Sequence, residues 1–277
     1  MGYKILSKKE LCPNQYEIVV DVPFVVRNAK AGQFIILRVD KEGERIPLTI
    51  ADINKETGEL TIVYMAVGYS TKKLAQLNVG EEINDLVGPL GLPTHIEKHG
   101  TVVCVAGGYG AAPCYLIAKA FKEAGNKVYM IMGARSKELV FWQDKMKQAS
   151  DELFITTNDG SAGRQGFVTE VLQELMDREE INHVIAVGPM PMMKAVAEMT
   201  RKPKIPTTVS MNPIMVDGTG MCGACRVTVG NEIKFACVDG PDFDGHLVDF
   251  DEVIQRTSIY KEMEKKRDEN CNLLKQP

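Results

Sequence analysis

Between residues 101 and 189, apolar strands alternate with amphipathic helices, and this rhythm limits the possible folds more than any other feature of the chain. Residues 101–106, Thr-Val-Val-Cys-Val-Ala, form a continuous apolar run, as expected of a strand covered on both faces. A helix follows through Tyr115, Leu116, Ala118 and Phe121 and stops at Gly125. Further strands are expected at 127–133, 153–157 and 183–189. A helix over 167–176 carries Val168, Val171, Leu172 and Leu175 on one side, and a Met-rich helix follows Pro189. Such alternation implies a parallel sheet with right-handed crossovers. Open sheets of this kind bind ligands at the C-terminal edge of their strands. The loops reaching that edge carry Gly107, Gly108, Gly110, Ala112 and Pro113, then Arg135, then Asp159, then Gly188, Pro189 and Met190. Core packing accounts for most of Met192, Met193 and Met199.

The glycine loop is an incomplete dinucleotide fingerprint. Gly108-x-Gly110 opens the G-x-G-x-x-G pattern, but Pro113 stands where the third glycine would be. The second strand ends Gly133-Ala134-Arg135-Ser136, without the acid that usually holds an adenosine ribose. The choice between NADH and NADPH stays open. Pro113 suits a first helical turn, where a missing N–H costs little.

The first third reads differently. Strands at 16–22, 34–39 and 59–65, separated by Gly- and Pro-containing breaks, suggest a small β-barrel. One helix is expected at 70–77. Arg45 and the Pro47-Leu48-Thr49 run place a cation and a hydroxyl beside a stiff, extended backbone. Gly68, Ser70 and Thr71 lead into the helix, whose free N–H groups suit a pyrophosphate. Gly88-Pro89-Leu90-Gly91 reads as a tight turn ending the domain.

Near the C-terminus lies Asp217-Gly-Thr-Gly-Met-Cys222-Gly-Ala-Cys225, followed by Cys237. Gly218, Gly220 and Gly223 allow the backbone to wrap tightly and aim N–H groups inward. Plant-type [2Fe–2S] loops use C-x4-C-x2-C with a distant fourth cysteine. This stretch has that spacing with Asp217 in the first place, so Asp217, Cys222, Cys225 and Cys237 are the candidate ligands. Structural zinc is an alternative, although the nearest histidine, His246, lies well past Cys237. Simple burial of the cysteines is another.

At 277 residues the chain has room for two domains and a small third module. A net charge of −4 with no basic run gives no footprint for nucleic acid or a membrane surface. The N-terminus lacks a signal-peptide core, and no apolar run approaches a bilayer span. The cysteines are clustered or scattered rather than set in a disulfide framework, so a cytoplasmic location is expected. With four scattered histidines, no general-base constellation is visible.

Taken in order, Pro47-Leu48-Thr49, Gly68 to Thr71, Gly88 to Gly91, Gly107 to Pro113 and Gly188-Pro189 resemble the ferredoxin–NADP reductase-like superfamily. Adding the cysteine loop, roughly residues 3–250 resemble the electron-transfer subunits of dihydroorotate dehydrogenase B. They are still more similar to small subunits of NADH-dependent reduced ferredoxin:NADP⁺ oxidoreductases, where an aspartate takes the first cluster position. The resemblance implies an FAD-binding antiparallel β-barrel over residues 1–97 and a parallel-sheet NAD(P)-binding domain over 98–205. A small [2Fe–2S] module over 206–250 and a C-terminal helical tail over 251–277 would follow. Pro47, Leu48 and Thr49 would line the flavin, with Val63, Tyr64 and Met65 beside its ring or ribityl chain. Gly68, Ser70 and Thr71 would hold the pyrophosphate. Arg45 stands one place earlier than the arginine of the Arg-Pro-x-Ser pattern, and would either reach the pyrophosphate from there or be a surface charge. Gly107, Gly108, Gly110, Ala112 and Pro113 would face NAD(H) or NADP(H), with Arg135 and Asp159 near its adenosine half. The implied activity is NADH oxidation through FAD, then single-electron transfer through the cluster to a larger flavin and iron–sulfur subunit, with ferredoxin served through the complex. Dihydroorotate oxidation in the partner is one alternative; a zinc-stabilised interaction subunit without flavin is another. The tail would pack on its own domain or clamp the partner.

Overall fold

The computed structural model describes residues 2–269. The first seven strands are β1 (Tyr3–Cys12), β2 (Gln15–Asp21), β3 (Phe34–Arg38), β4 (Arg45–Asn54), β5 (Glu59–Met65), β6 (Glu82–Ile83) and β7 (Asp85–Leu90). They pair antiparallel in the order β6-β1-β2-β5-β4-β3-β7. The two end strands are consecutive in the chain, with Asn84 between them donating to the Val39 carbonyl. One extended segment therefore closes the sheet into a barrel, which removes its free edges. Ile5, Ile18, Leu60 and Ile62 alternate inward and are fully buried. Two helices belong to this domain, α1 (Pro23–Asn28), packed against β5 and β7, and α2 (Tyr69–Gln76). Gly88 to Leu90, expected as a turn, instead continue β7 along β3.

The second sheet uses β8 (Thr101–Gly107), β9 (Lys127–Ala134), β10 (Glu152–Thr157), β11 (Arg164–Gln165), β12 (His183–Val187) and β13 (Thr207–Ser210). Its order is β11-β10-β9-β8-β12-β13, all parallel. The helices between are α3 (Ala111–Glu123), α4 (Gln143–Ala149), α5 (Val168–Arg178) and α6 (Met190–Arg201). The apolar run of β8 lies at the centre with Val102 to Ala106 fully buried, as a strand covered on both faces must be.

After β13 the chain leaves the sheet for the cysteine segment. That segment contains a hairpin of β14 (Arg226–Val229) and β15 (Glu232–Phe235). It then returns as β16 (Asp242–Asp244), antiparallel to β13. The segment is thus an insertion anchored at both ends in the parallel sheet.

The tail begins with α7 (Phe250–Ser258), whose Phe250 and Val253 are buried and whose Asp251 pairs with Lys194 of α6 at 2.7 Å. This part of the tail packs on its own domain. In α8 (Lys261–Glu269) Met263 is exposed, as are Ile259 and Tyr260 just before it. Residues 270–277 of the expected tail lie outside the described residues.

Candidate functional site

Strands β4 and β5 pair from the hairpin end, Asn54–Glu59, as far as Ile50–Ile62 and then part. Beyond that point, residues 47–49 of β4 stay bonded to β3, while residues 63–65 of β5 stay bonded to β2. Pro47, which has no N–H to offer a second neighbour, falls in this unpaired stretch. The gap opens a cleft of about 330 Å³. Pro47, Leu48, Thr49, Val63, Tyr64, Met65 and Thr71 line its barrel side; Tyr109, Gly110, Pro113 and Gly188 line the side of the parallel sheet. Phe34, Val67, Val187, Ser210 to Pro213, Met215 and Pro241 complete the lining. The sequence reading missed this last group. Their one signal is position: residues 210–213 and 241 flank the anchoring strands of the cysteine segment.

Tyr64 carries the clearest polar signal in the cleft. It is 2% exposed and stacks on Tyr16 at 5.8 Å between ring centroids, yet its hydroxyl has no hydrogen-bond partner. Burial, with a smaller contribution from Tyr16, pushes its phenol well above the usual value, so it stays a neutral donor. A buried hydroxyl left unpaired costs stability unless a ligand meets it.

At the start of α2, the Val67 and Gly68 N–H groups donate to Thr71 Oγ1 at 3.2 and 3.1 Å. Ser70 Oγ donates to Glu44 at 2.6 Å, and the α-face of Gly68 opens on free space. Arg45 turns the other way. Its Nε and Nη2 donate to the carbonyls of Val216 and Asp217 at 3.3 and 3.2 Å, so the guanidinium serves the cysteine segment rather than the helix start.

The glycine loop divides into two roles. A methyl on Gly107 would meet Met192 Sδ at 2.5 Å, and one on Gly110 would meet the Val187 carbonyl oxygen at 2.5 Å. These glycines let the loop pack against Val187 and Gly188, whose own α-face lies 3.0 Å from Gly107. Gly108 differs: its φ of +55° requires glycine, and nothing lies near its α-face. The side chains of Ala112 and Met190, expected to face the dinucleotide, are buried in the core because both sit in helical turns packed on the sheet. Pro189 caps α6 and closes on Gly107. Arg135 and Asp159 come together at the ends of β9 and β10, where the Asp159 N–H donates to the Arg135 carbonyl at 3.3 Å. The Asp159 carboxylate is lowered from its ordinary value by the Ser161 hydroxyl and backbone N–H. Arg135 is exposed and has no ion pair among the described residues.

The four candidate cluster ligands fall into two pairs. Cys222 Sγ lies 3.3 Å from Asp217 Oδ1, and Cys225 Sγ lies 3.2 Å from Cys237 Sγ. Gly218, Gly220 and Gly223 adopt φ of +78°, +83° and +67°, which brings the loop around. Asp217 also accepts from the N–H groups of Thr219, Met221 and Cys222 at 3.1, 2.9 and 3.1 Å. Burial pushes its carboxyl up, but the Thr219 N–H and hydroxyl and the Cys222 thiol and N–H outweigh that and bring it down to about 2. An ionised oxygen beside a thiol is a usable ligand pair. No three donors among the described residues converge on one point, as a closed zinc site requires, and His246 is engaged by Thr200 at 3.0 Å. Two pairs suit a two-iron cluster, where each iron takes two protein ligands.

No helix among the described residues is long and apolar enough to cross a membrane. Residues 212–249 match the iron-sulfur cluster binding domain of dihydroorotate dehydrogenase B, and residues 104–198 match the oxidoreductase NAD-binding domain. A Thermotoga maritima homolog of the dihydroorotate dehydrogenase B (NAD(+)) electron transfer subunit is 46% identical, covering 95% of this chain and 93% of its own. The Shouchella clausii electron transfer subunit is 35% identical over 86% of this chain and 94% of its own. Among solved structures, one chain aligns with a TM-score of 0.93 at 44% identity, over 98% of both chains. It comes from the NADH-dependent reduced ferredoxin-NADP oxidoreductase, a structure solved for insight into flavin-based electron bifurcation. An Amycolatopsis cytochrome P450 reductase shares the fold at 20% identity, with a TM-score of 0.63 over 74% of this chain and 66% of its own. With barrel, parallel sheet and cysteine segment all matched, the chain belongs to the family of dihydroorotate dehydrogenase B electron-transfer subunits and their ferredoxin–NADP oxidoreductase counterparts, which are NAD(P)H-linked iron–sulfur flavoprotein oxidoreductases.

Proposed function

We propose that this chain oxidises NADH and delivers single electrons to a larger partner subunit within an NADH/NADPH/ferredoxin oxidoreductase. The observation that carries this reading is the cleft itself, where the parted barrel strands face Gly110, Pro113 and Gly188 across one opening. Pro47, Leu48 and Thr49 would line the flavin of an FAD, with Val63, Tyr64 and Met65 beside its ring or ribityl chain. The orphan Tyr64 hydroxyl supplies a hydrogen bond to it. The pyrophosphate would take the first-turn N–H groups of α2 at Ser70 and Thr71, beside Gly68, whose own N–H is held by Thr71 Oγ1. Gly108, with its open α-face, admits the nicotinamide dinucleotide, while Arg135 and Asp159 flank its adenosine half. NADP(H) remains open to test. Asp217 and Cys222 bind one iron of a [2Fe–2S] cluster, and Cys225 and Cys237 the other. Held by these residues, FAD would supply the change from hydride to single-electron chemistry, and a [2Fe–2S] cluster would supply one-electron transfer.

The partner in this reading holds further FAD and [4Fe–4S] clusters and exchanges electrons with NADPH and ferredoxin, a setting for electron bifurcation. A reducing cytoplasm suits the thiols. The exposed Ile259, Tyr260 and Met263 form the tail's contact with that partner. The names of the relatives favour one second reading, in which the partner oxidises dihydroorotate.

An anaerobic visible spectrum before and after NADH tests the core of the proposal. Flavin and iron–sulfur bands that both bleach support it; a colourless, zinc-loaded chain overturns it. Assaying the reconstituted complex with ferredoxin plus NADP⁺, and separately with dihydroorotate, separates the two partner readings.

A further inference from the structure

Three arginines from three separate elements end on the carbonyls of the cysteine segment. Arg45 of β4 donates to Val216 and Asp217 at 3.3 and 3.2 Å. Arg226, the first residue of β14, donates from Nη1 to the Gly223 carbonyl at 3.2 Å. Arg256, in the last turn of α7, donates from Nη2 to the Ala224 carbonyl at 3.2 Å. The accepting carbonyls sit at the two places that matter for the ligands: beside Asp217, and between Cys222 and Cys225. None of the three guanidiniums is paired with a carboxylate among the described residues, although arginines elsewhere in the chain are, as Arg38 is with Asp85 and Arg178 with Glu152. The loop therefore faces three guanidiniums, none of them held in an ion pair by a carboxylate among the described residues.

We infer that Arg45, Arg226 and Arg256 form a guanidinium clamp that positions the cysteine loop and raises the reduction potential of the cluster it holds. The inference rests on the proposed [2Fe–2S] reading of the loop. Its physical basis is simple. Reduction adds one negative charge at the cluster, and a nearby fixed positive charge stabilises the reduced form over the oxidised one. Each fork also ties a loop carbonyl to a different part of the fold, so the loop is held from the barrel, from its own hairpin and from the C-terminal helix. Arg45 has a further consequence. It stands two residues before Pro47, so the strand that lines the cleft also grips the loop, and this fixes the distance between the two redox sites. Arg256 gives the tail helix a role at the cluster as well. It is half-buried and therefore the least screened of the three.

The test is a redox titration of the purified full-length holoprotein, following the electron paramagnetic resonance of the reduced cluster. Removing one charge in Arg256→Gln is expected to raise the oxidised-to-reduced ratio at fixed potential about tenfold, a fall of about 59 mV for a one-electron couple. Arg256→Lys keeps the charge without the planar fork, and should recover most of that shift. Arg45→Gln, at the opposite end of the loop, should move the potential in the same direction and supplies the reading if Arg256→Gln purifies without iron. A fully loaded Arg256→Gln protein that titrates like wild type overturns the proposal. So does a lysine variant that falls as far as the glutamine variant. A wild-type chain with no iron–sulfur signal would instead sink the cluster reading, and that failure is visible before any variant is made.

Discussion

Gly110→Ala isolates the packing on which the cleft depends. Gly110 sits in right-handed backbone, φ −61° and ψ −12°, so alanine carries no conformational penalty there. Sterics alone decide the outcome. The new methyl would lie 2.5 Å from the Val187 carbonyl oxygen, 2.8 Å from its carbon and 2.9 Å from the Gly188 Cα. All three are backbone atoms and none can swing aside. Ordinary contact begins at 3.4 Å, so the glycine loop and the end of β12 must separate by roughly 0.9 Å. Overpacking of this kind costs about 1–3 kcal/mol, which for a chain of this size lowers the melting temperature by roughly 4–8 °C at the middle of that range. Because Gly110 and Gly188 both line the cleft, the same movement should weaken NADH binding about tenfold, or about 1.4 kcal/mol. Thermal unfolding by circular dichroism and NADH titration calorimetry measure the two effects. Gly125→Ala is the control: its φ of +84° makes alanine strained, but no atom lies within 4 Å and it is remote from the cleft, so it should lower stability and leave NADH affinity unchanged. A Gly110→Ala protein that melts within a degree of wild type and binds NADH equally well would refute the argument.

Three further outcomes follow from the geometry. Tyr64→Phe removes an unpaired buried hydroxyl, so the flavin-free chain should keep or gain up to about 1 kcal/mol in urea unfolding while FAD affinity falls several-fold; an unchanged FAD affinity would remove the hydroxyl from the flavin site. Asp242, next to the cleft-lining Pro241, is half-buried with its Oδ1 shielded from water and unpartnered, and this desolvation lifts its carboxyl to about 6 despite donation from Thr94 at 2.6 Å. A raised folded pKa means that its contribution is fully present below its ordinary value of 3.8 and is lost as pH climbs through 6. Asp242→Asn should therefore flatten that part of the stability profile and relieve roughly 1–3 kcal/mol at pH 7, measured by urea unfolding at pH 4, 5 and 7; an unaltered profile would place the pH dependence elsewhere. In cluster-free protein, Cys222 is exposed while Cys225 and Cys237 are each 1% exposed, so brief iodoacetamide treatment should label Cys222 first, and cluster loading should protect it; equal labelling of all three by mass spectrometry would contradict the loop geometry.

Local physics made much of this protein legible from its residues. The apolar run at 101–106 could only be a strand buried on both faces, and its glycine and helix signals follow in order, so the parallel sheet was readable without tertiary information. The cysteine spacing likewise announced a wrapped, metal-holding loop, since its three glycines accept left-handed backbone that few other residues adopt. The antiparallel barrel was legible as strands, but its closure was not, because that depends on β6 and β7 pairing at opposite ends of one sheet. The parting of β4 and β5 was hidden for the same reason: register between strands is a property of the pair. Pattern alone also grouped Gly107, Gly108 and Gly110 as equal contacts for a ligand. Only the packed structure shows that the α-faces of Gly107 and Gly110 close on protein, although Gly110 still lines the cleft, while that of Gly108 opens on free space. Arg45 is the sharpest case. The resemblance made it either a pyrophosphate contact or a surface charge, whereas its hydrogen-bond acceptor lies 171 residues away at Val216, brought within reach by the docking of the cysteine segment on the barrel. Local sequence determined which elements and which chemistry the chain carries; the tertiary fold decided which side chains meet, because a guanidinium bonds to whatever carbonyl the packing presents.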